Sequence, residues 1–160
     1  MSKYEWLLFL HVSGAFLFLG AAVASLFFLI AAQLRRRPSE AAFLLRVQSF
    51  GVIGAAFAVG GLLLLVFGLW LVDDAGYGYG DGWVVWSLIL FIASSVFGGV
   101  GGTRIKPARA TAERLAASGD EPSRELKAAM WKPWLIIWNY GAALLAFGVL
   151  ALMIWKPGAL

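Results

Sequence analysis

Few residues in this chain are equipped to do chemistry. There is one histidine, His11, and no cysteine, which removes disulfides, thiolate metal sites and thiol nucleophiles together. Met1, Met130 and Met153 are the remaining soft ligands, and they form no repeated copper-binding pattern. Asp73, Asp74 and Asp81 cluster in a Gly-Tyr stretch, but their spacing is not that of a calcium loop, and a solvated turn is expected there. No Asp, Glu, Lys or Arg interrupts the long apolar stretches. Paired carboxylates, a Ser-His-Asp triad and the ionisable relay of a proton-coupled transporter or channel therefore all lack members at depth. No catalytic residue and no metal cluster is expected, and a non-enzymatic role fits better than an enzymatic one.

The elements that must position His11 follow from charge-free runs. These are Trp6–Leu34, Val47–Val72, Trp83–Thr103 and Trp134–Trp155, of 29, 26, 21 and 22 residues. A helix needs about 20 apolar residues to cross a hydrocarbon core of roughly 30 Å, so each run is long enough to span. With 61% of residues apolar and only 14% charged, the composition is that of a membrane protein. The expected fold is an all-α integral membrane four-helix bundle, residues 1–160 forming one transmembrane domain in contact with the lipid bilayer. Ala22-Val23-Ala24 resembles a cleavage site, but the apolar run continues through Ser25–Ile30, so an uncleaved first helix is expected.

Charge gives an orientation. Of 13 Lys and Arg, eleven fall in the connections 35–46 and 104–133, each of net charge +3, whereas the termini and the connection 73–82 together carry −2. By the positive-inside rule both termini face outward, and the two basic connections face the cytoplasm from a bacterial inner membrane. The basic balance is then a topology signal, and no nucleic-acid partner is expected. Pro38-Ser39-Glu40 reads as a helix start, Gly119-Asp120-Glu121-Pro122 as a stop and a new start, and Ala108–Ala117 as a short polar helix on the inner surface. Pro38-Ser39 and Phe67-Gly68 recur as Pro122-Ser123 and Phe147-Gly148, at offsets of 84 and 80, which suggests two like-oriented helical hairpins.

Packing between helices in lipid relies on small residues. His11, Gly14, Phe18, Ala21 and Ser25 share one face of the first span; Gly54, Ala58, Gly61 and Gly68 line the second. Gly98 and Gly102 form a GxxxG pair at the end of the third, which lacks the strand-then-helix context of a phosphate-binding loop. These stripes could pack the bundle, a homo-oligomer or a larger membrane complex. Trp6, Trp70, Trp83, Trp86 and Trp155, with Tyr4, Tyr77 and Tyr79, mark the outer rim, and Trp131, Trp134 and Trp138 the inner.

His11 lies five residues past Trp6, about 7 to 8 Å below the rim at 1.5 Å per residue. An imidazole at that depth must hydrogen-bond within the bundle or bind something, because an unsatisfied polar group in lipid costs several kcal/mol. It either bonds a backbone carbonyl or Ser across a helix interface, or ligates haem or a metal.

The stretch Leu10-His11-Val12-Ser13-Gly14-Ala15-Phe16-Leu17-Phe18-Leu19-Gly20 resembles a first-helix pattern, Leu-His-x-x-Gly-Ala with a following aromatic and Gly. That pattern occurs in bacterial membrane proteins that include the copper-resistance protein D family, the HemJ type of protoporphyrinogen oxidase and a family of predicted four-span integral membrane proteins of unknown function. The last likeness extends through Gly68-Leu69-Trp70-Leu71, the Gly-Tyr-Gly-Asp-x-Trp connection and the closing Leu152-Met153-Ile154-Trp155-Lys156-Pro157. For HemJ-like members the resemblance implies a first-helix histidine ligating b-type haem, which maps onto His11. The chain departs from that pattern in having no second histidine and no intramembrane Lys. A His11 and Met153 haem site, or two His11 across a dimer, are the ligand sets left open.

Overall fold

A computed structural model of the chain describes residues 2–49 and 51–157. All its regular structure is helical: α1 Lys3–Gln33, α2 Pro38–Gln48, α3 Gly51–Asp74, α4 Gly82–Ala117, α5 Arg124–Met130 and α6 Pro133–Trp155. Four helices are long and apolar enough to cross a membrane: α1, α4, α6 and the run Pro38–Asp74 that holds α2 and α3. The charge-free runs are the apolar parts of these helices. Phe50, inside the second expected span, lies outside the described residues.

Local chemistry sets the boundaries. Ser2 and Glu5 form a capping box at the start of α1, Glu5 N donating to Ser2 Oγ at 3.2 Å and Ser2 N to Glu5 Oε2 at 2.7 Å. Pro38 and Pro133 occupy first-turn positions of α2 and α6, where a missing N–H costs nothing. Ser123 caps α5 by accepting from Leu126 N at 3.0 Å.

The chain repeats its own plan: long helix, short helix, spanning helix. Within each half the two long helices pair, α1 with α3 and α4 with α6. The first pair meets backbone to backbone. A Cβ placed on Gly14 would lie 2.6 Å from Leu64 N and 2.9 Å from Gly60 O, and one on Gly60 would lie 2.5 Å from Phe18 N and 2.9 Å from Gly14 O. The second pair interlocks glycine with side chain: Gly141 sits against Phe97, Gly101 against Asn139, and Gly148 against Leu90, while Ser94 Oγ donates to Ala142 O at 2.9 Å. Phe18, Leu64, Phe91, Ala146 and Val149 then join the pairs in one apolar core.

The inward face of α1 is the expected one: Gly14, Phe18 and Ala21 are buried, and Ser25 accepts from Gln48 Nε2 at 3.1 Å. In α3 the expected stripe is corrected. Contact with α1 runs along Gly60, Leu64 and Gly68, leaving Gly54 and Ala58 exposed, with nothing within 4 Å of a Cβ on Gly54. Gly61 does pack, against Phe18 and Phe91. The GxxxG pair divides likewise. Gly98 faces Phe57, but Gly102 faces open space because the line toward α6 passes through Leu90, Ser94, Phe97 and Gly101.

Residues Ala108–Ala117 are not a separate surface helix. α4 continues through Pro107 for 36 residues, about 54 Å at 1.5 Å per residue, and so outruns the hydrocarbon core. Pro107 withdraws a donor from the carbonyl of exposed Thr103, at a level where water can replace it. Ala108 and Ala112 pack with Ala41 and Leu45 of α2, Leu126 and Met130 of α5, and Leu29 and Ala32 of α1, a second core at the basic end. It also encloses a polar bridge: Gln33 Nε2 donates to Met130 O at 3.0 Å and Tyr140 OH to Gln33 Oε1 at 2.8 Å.

Candidate functional site

At the opposite end, Lys3 Nζ bonds Asp74 Oδ1 at 2.6 Å and Lys156 Nζ bonds Tyr77 OH at 3.3 Å, so the starts of α1 and α4 and the ends of α3 and α6 are gathered around the 75–81 turn. Between them lies a cavity of about 410 Å³, within the size range of small-molecule sites. Leu64, Leu65, Phe91 and Leu150 are among its apolar lining, and the lining residues with polar side-chain atoms are Tyr4, His11, Tyr77, Trp83, Ser87 and Lys156.

The His11 ring lies against Gly68, whose missing side chain makes room for it, since a Cβ there would be 2.9 Å from Cε1 and 3.0 Å from Nδ1. Nδ1 is 3.1 Å from Leu64 O. A carbonyl oxygen only accepts, so Nδ1 carries the proton, and in the neutral form of the ring the lone pair is on Nε2. Nε2 makes no hydrogen bond among the described residues and is not enclosed. Both sequence alternatives therefore remain compatible in one ring: a backbone carbonyl fixes the imidazole, and the opposite nitrogen is left for something else. This is the arrangement of ligating histidines, whose second nitrogen is held by an outer partner. Met153 lines the same cavity. The other named glycines lie elsewhere: Gly14 and Gly61 at the α1 and α3 interface, Gly98 beside Phe57, and Gly54 and Gly102 on exposed faces.

Four participants were not legible as such in the sequence. Trp83 is grouped by sequence with the rim aromatics, and Trp6, Trp70, Trp86 and Trp155 are indeed exposed there; Trp83 alone of these is buried, at 7% exposure. It meets Tyr77 edge to face with ring centroids 5.2 Å apart. Lys156 adopts a left-handed conformation, φ 38°, at the end of α6, and its ammonium lies 4.7 Å from the Tyr77 ring centroid and 5.3 Å from that of Trp83. Ser87 lies one turn beyond Trp83 on α4 and is 5% exposed. Trp83 Nε1 and Ser87 Oγ are buried without a partner in the described structure. Each such group costs about 1 to 3 kcal/mol, so their occurrence together on one cavity wall calls for a ligand or water to answer them. A cue existed in the four-residue spacing of Trp83 and Ser87, but nothing in it distinguishes an inward Trp from a belt Trp.

Among the described residues no group of three or more His, Cys, Asp or Glu is placed to hold a metal ion. The site is thus a deep apolar cleft with one anchored imidazole, a thioether, two unanswered donors and a cation at its mouth. No curated protein and no solved structure matches the chain. A family of membrane proteins does, over residues 5–157, and with so much of its length matched the chain belongs to the family described as "Predicted integral membrane protein (DUF2269)".

Proposed function

We propose that this protein is a non-enzymatic binding subunit of the cytoplasmic membrane, holding a lipophilic ligand in the cavity at the end where α1 begins and α6 finishes. That end faces outward, and the connections 35–46 and 104–133 face the cytoplasm; the eleven basic residues of those two connections support this. The observation that carries the ligand reading is the cavity itself, apolar in its depth and edged by polar groups that lack partners. The exposed small residues Ala58 and Gly102 suit an accessory role in which the chain packs against a second copy or a larger membrane complex.

The test is the content of the purified protein. An organic extract of the wild type is expected to contain one lipophilic compound at near-stoichiometric amount, and a cavity-filling Ser87→Phe variant with unchanged helicity is expected to lose it. No such compound in either protein refutes the reading.

A second reading is favoured by the tethered imidazole and Met153 on the same cavity: a b-type haem that His11 Nε2 and Met153 would hold. The donor set fits haem iron, and Lys156 at the mouth suits a carboxylate of the porphyrin edge. Bound there, haem would supply one-electron transfer; the chain's own part is to orient His11 through Leu64 O and to exclude water through Phe91 and Leu150. A pyridine haemochrome spectrum decides it. A Soret band that His11→Ala abolishes supports haem, and no band in protein from haem-sufficient cells removes it.

A further inference from the structure

We propose that the cavity recognises a lipophilic carboxylate, of the long-chain fatty acid class, with its head between Trp83, Ser87 and Lys156 and its hydrocarbon directed toward Phe91 and Leu64; this rests on the ligand reading above. The head group follows from the balance of donors and acceptors. Trp83 Nε1 can only donate, and it is buried without a partner. Ser87 Oγ is in the same state although a carbonyl four residues earlier is within reach of such side chains, as Ser49, Ser95 and Thr111 demonstrate by bonding Leu45 O, Phe91 O and Pro107 O at 2.7, 2.8 and 3.1 Å. The Ser87 hydroxyl instead stays uncommitted beside the cavity.

The third donor is Lys156. Its ammonium sits over Trp83 and Tyr77, and no carboxylate of the described residues lies within ion-pair distance of it. Three donors, one of them cationic, thus belong to residues that line the cleft, and an anionic acceptor would answer them. A carboxylate supplies two oxygens and one negative charge, and the apolar depth of the cavity takes a chain rather than a second polar group. An alcohol would leave the charge unanswered, and a quinone would bring a second carbonyl into the apolar part.

The test uses full-length protein in neutral-lipid nanodiscs at pH 8, with radiolabelled palmitate and, separately, radiolabelled hexadecanol and a short-chain ubiquinone as probes. Saturable palmitate binding at one per chain is expected, at least tenfold tighter than hexadecanol or quinone. Trp83→Phe and Lys156→Gln should each weaken palmitate at least fivefold and hexadecanol by a smaller factor, because only the carboxylate carries a charge for the ammonium to answer, and Lys156→Arg should restore palmitate binding. Circular dichroism shows whether each variant keeps its helices, and Ser87→Ala, the mildest change, covers the case in which Trp83→Phe does not fold. Equal binding of palmitate and hexadecanol, insensitive to these variants but blocked by Ser87→Phe, overturns the carboxylate inference and leaves the binding cavity standing. Tighter binding of quinone than palmitate also overturns it. If no probe binds and Ser87→Phe matches wild type, both the inference and the ligand reading fall.

Discussion

A Gly60→Ala substitution probes the contact on which the first helix pair depends. The added Cβ would lie 2.5 Å from Phe18 N, 2.8 Å from Leu17 Cβ and 2.9 Å from Gly14 O. Two of these are backbone atoms, so no rotamer change relieves the clash, and α1 must retreat. Moving from 2.5 Å to the 3.4 Å of ordinary contact takes about 0.9 Å at the crossing. A radial gap of 0.5 to 1 Å forfeits about a quarter to a half of each dispersion contact along the line. Lipid adds no hydrophobic drive to compensate, so overpacking should cost about 1 to 3 kcal/mol. Gly54→Ala supplies the control, because its Cβ meets nothing within 4 Å and Ala is the better helix former by about 0.5 to 1 kcal/mol. Reversible unfolding in bicelles, followed by circular dichroism, should therefore separate the two variants by about 1.5 to 4 kcal/mol with opposite signs relative to wild type. A Gly60→Ala protein as stable as Gly54→Ala would refute the backbone-contact account of this pair.

Gln33→Leu should destabilise the basic end by about 1 to 2 kcal/mol in the same assay, because it strips bonds from Met130 O and Tyr140 OH at once; a neutral result would show that water answers both. Asp120 accepts from Ser39 Oγ and Ser39 N, each at 2.7 Å, and these bonds, the hydroxyl's first, hold its carboxyl below the usual carboxylate range. A lowered carboxyl pKa stabilises the fold above the unfolded-state value and is lost as pH falls through the folded-state value. The wild-type advantage over Asp120→Asn in thermal midpoint should thus be present at pH 7 and be lost as the pH falls through the lowered pKa of Asp120; a difference that stays the same down the acid limb would refute the linkage. A cysteine introduced at Gly119 should react with an impermeant maleimide only in inverted vesicles, and one at Gly78 only in right-side-out vesicles, the reverse pattern overturning the orientation.

Much of the fold is written in one-dimensional features of the sequence. Charge-free runs mark the four crossings because burying an ion in hydrocarbon is costly wherever it falls, a constraint blind to tertiary detail. The inward face of α1 is legible for a similar reason: His11, Gly14, Phe18 and Ala21 keep a spacing of three and four. The line of contact on α3 is not legible, since small residues occupy several faces of that helix and only the crossing with α1 selects Gly60 over Gly54. Pro107 misleads for a physical reason as well. A proline ends a helix when the freed carbonyl is buried, and here Thr103 is exposed while Ala108 and Ala112 gain a packing partner in α2 that no local pattern reveals.

The site divides in the same way. His11 stands out because a lone imidazole below the rim must be answered, and Leu64 O answers one nitrogen only. The donors opposite it were hidden by a statistical regularity: tryptophan near a membrane surface is expected to face the headgroups, so Trp83 carries no sequence mark of its inward position. In its inward position Trp83 meets Tyr77 of the turn at 75–81 edge to face, with the Lys156 ammonium over its ring. Lys156 reaches that place through a backbone conformation that costs an L-residue about 1 to 2 kcal/mol. Its cation over two rings offsets part of that cost without using the ammonium's charge in an ion pair. A helix end held in this strained form, with an ammonium that has no carboxylate partner among the described residues and two buried polar groups without partners lining the same cavity, makes sense as a binding mouth and is hard to account for as packing alone.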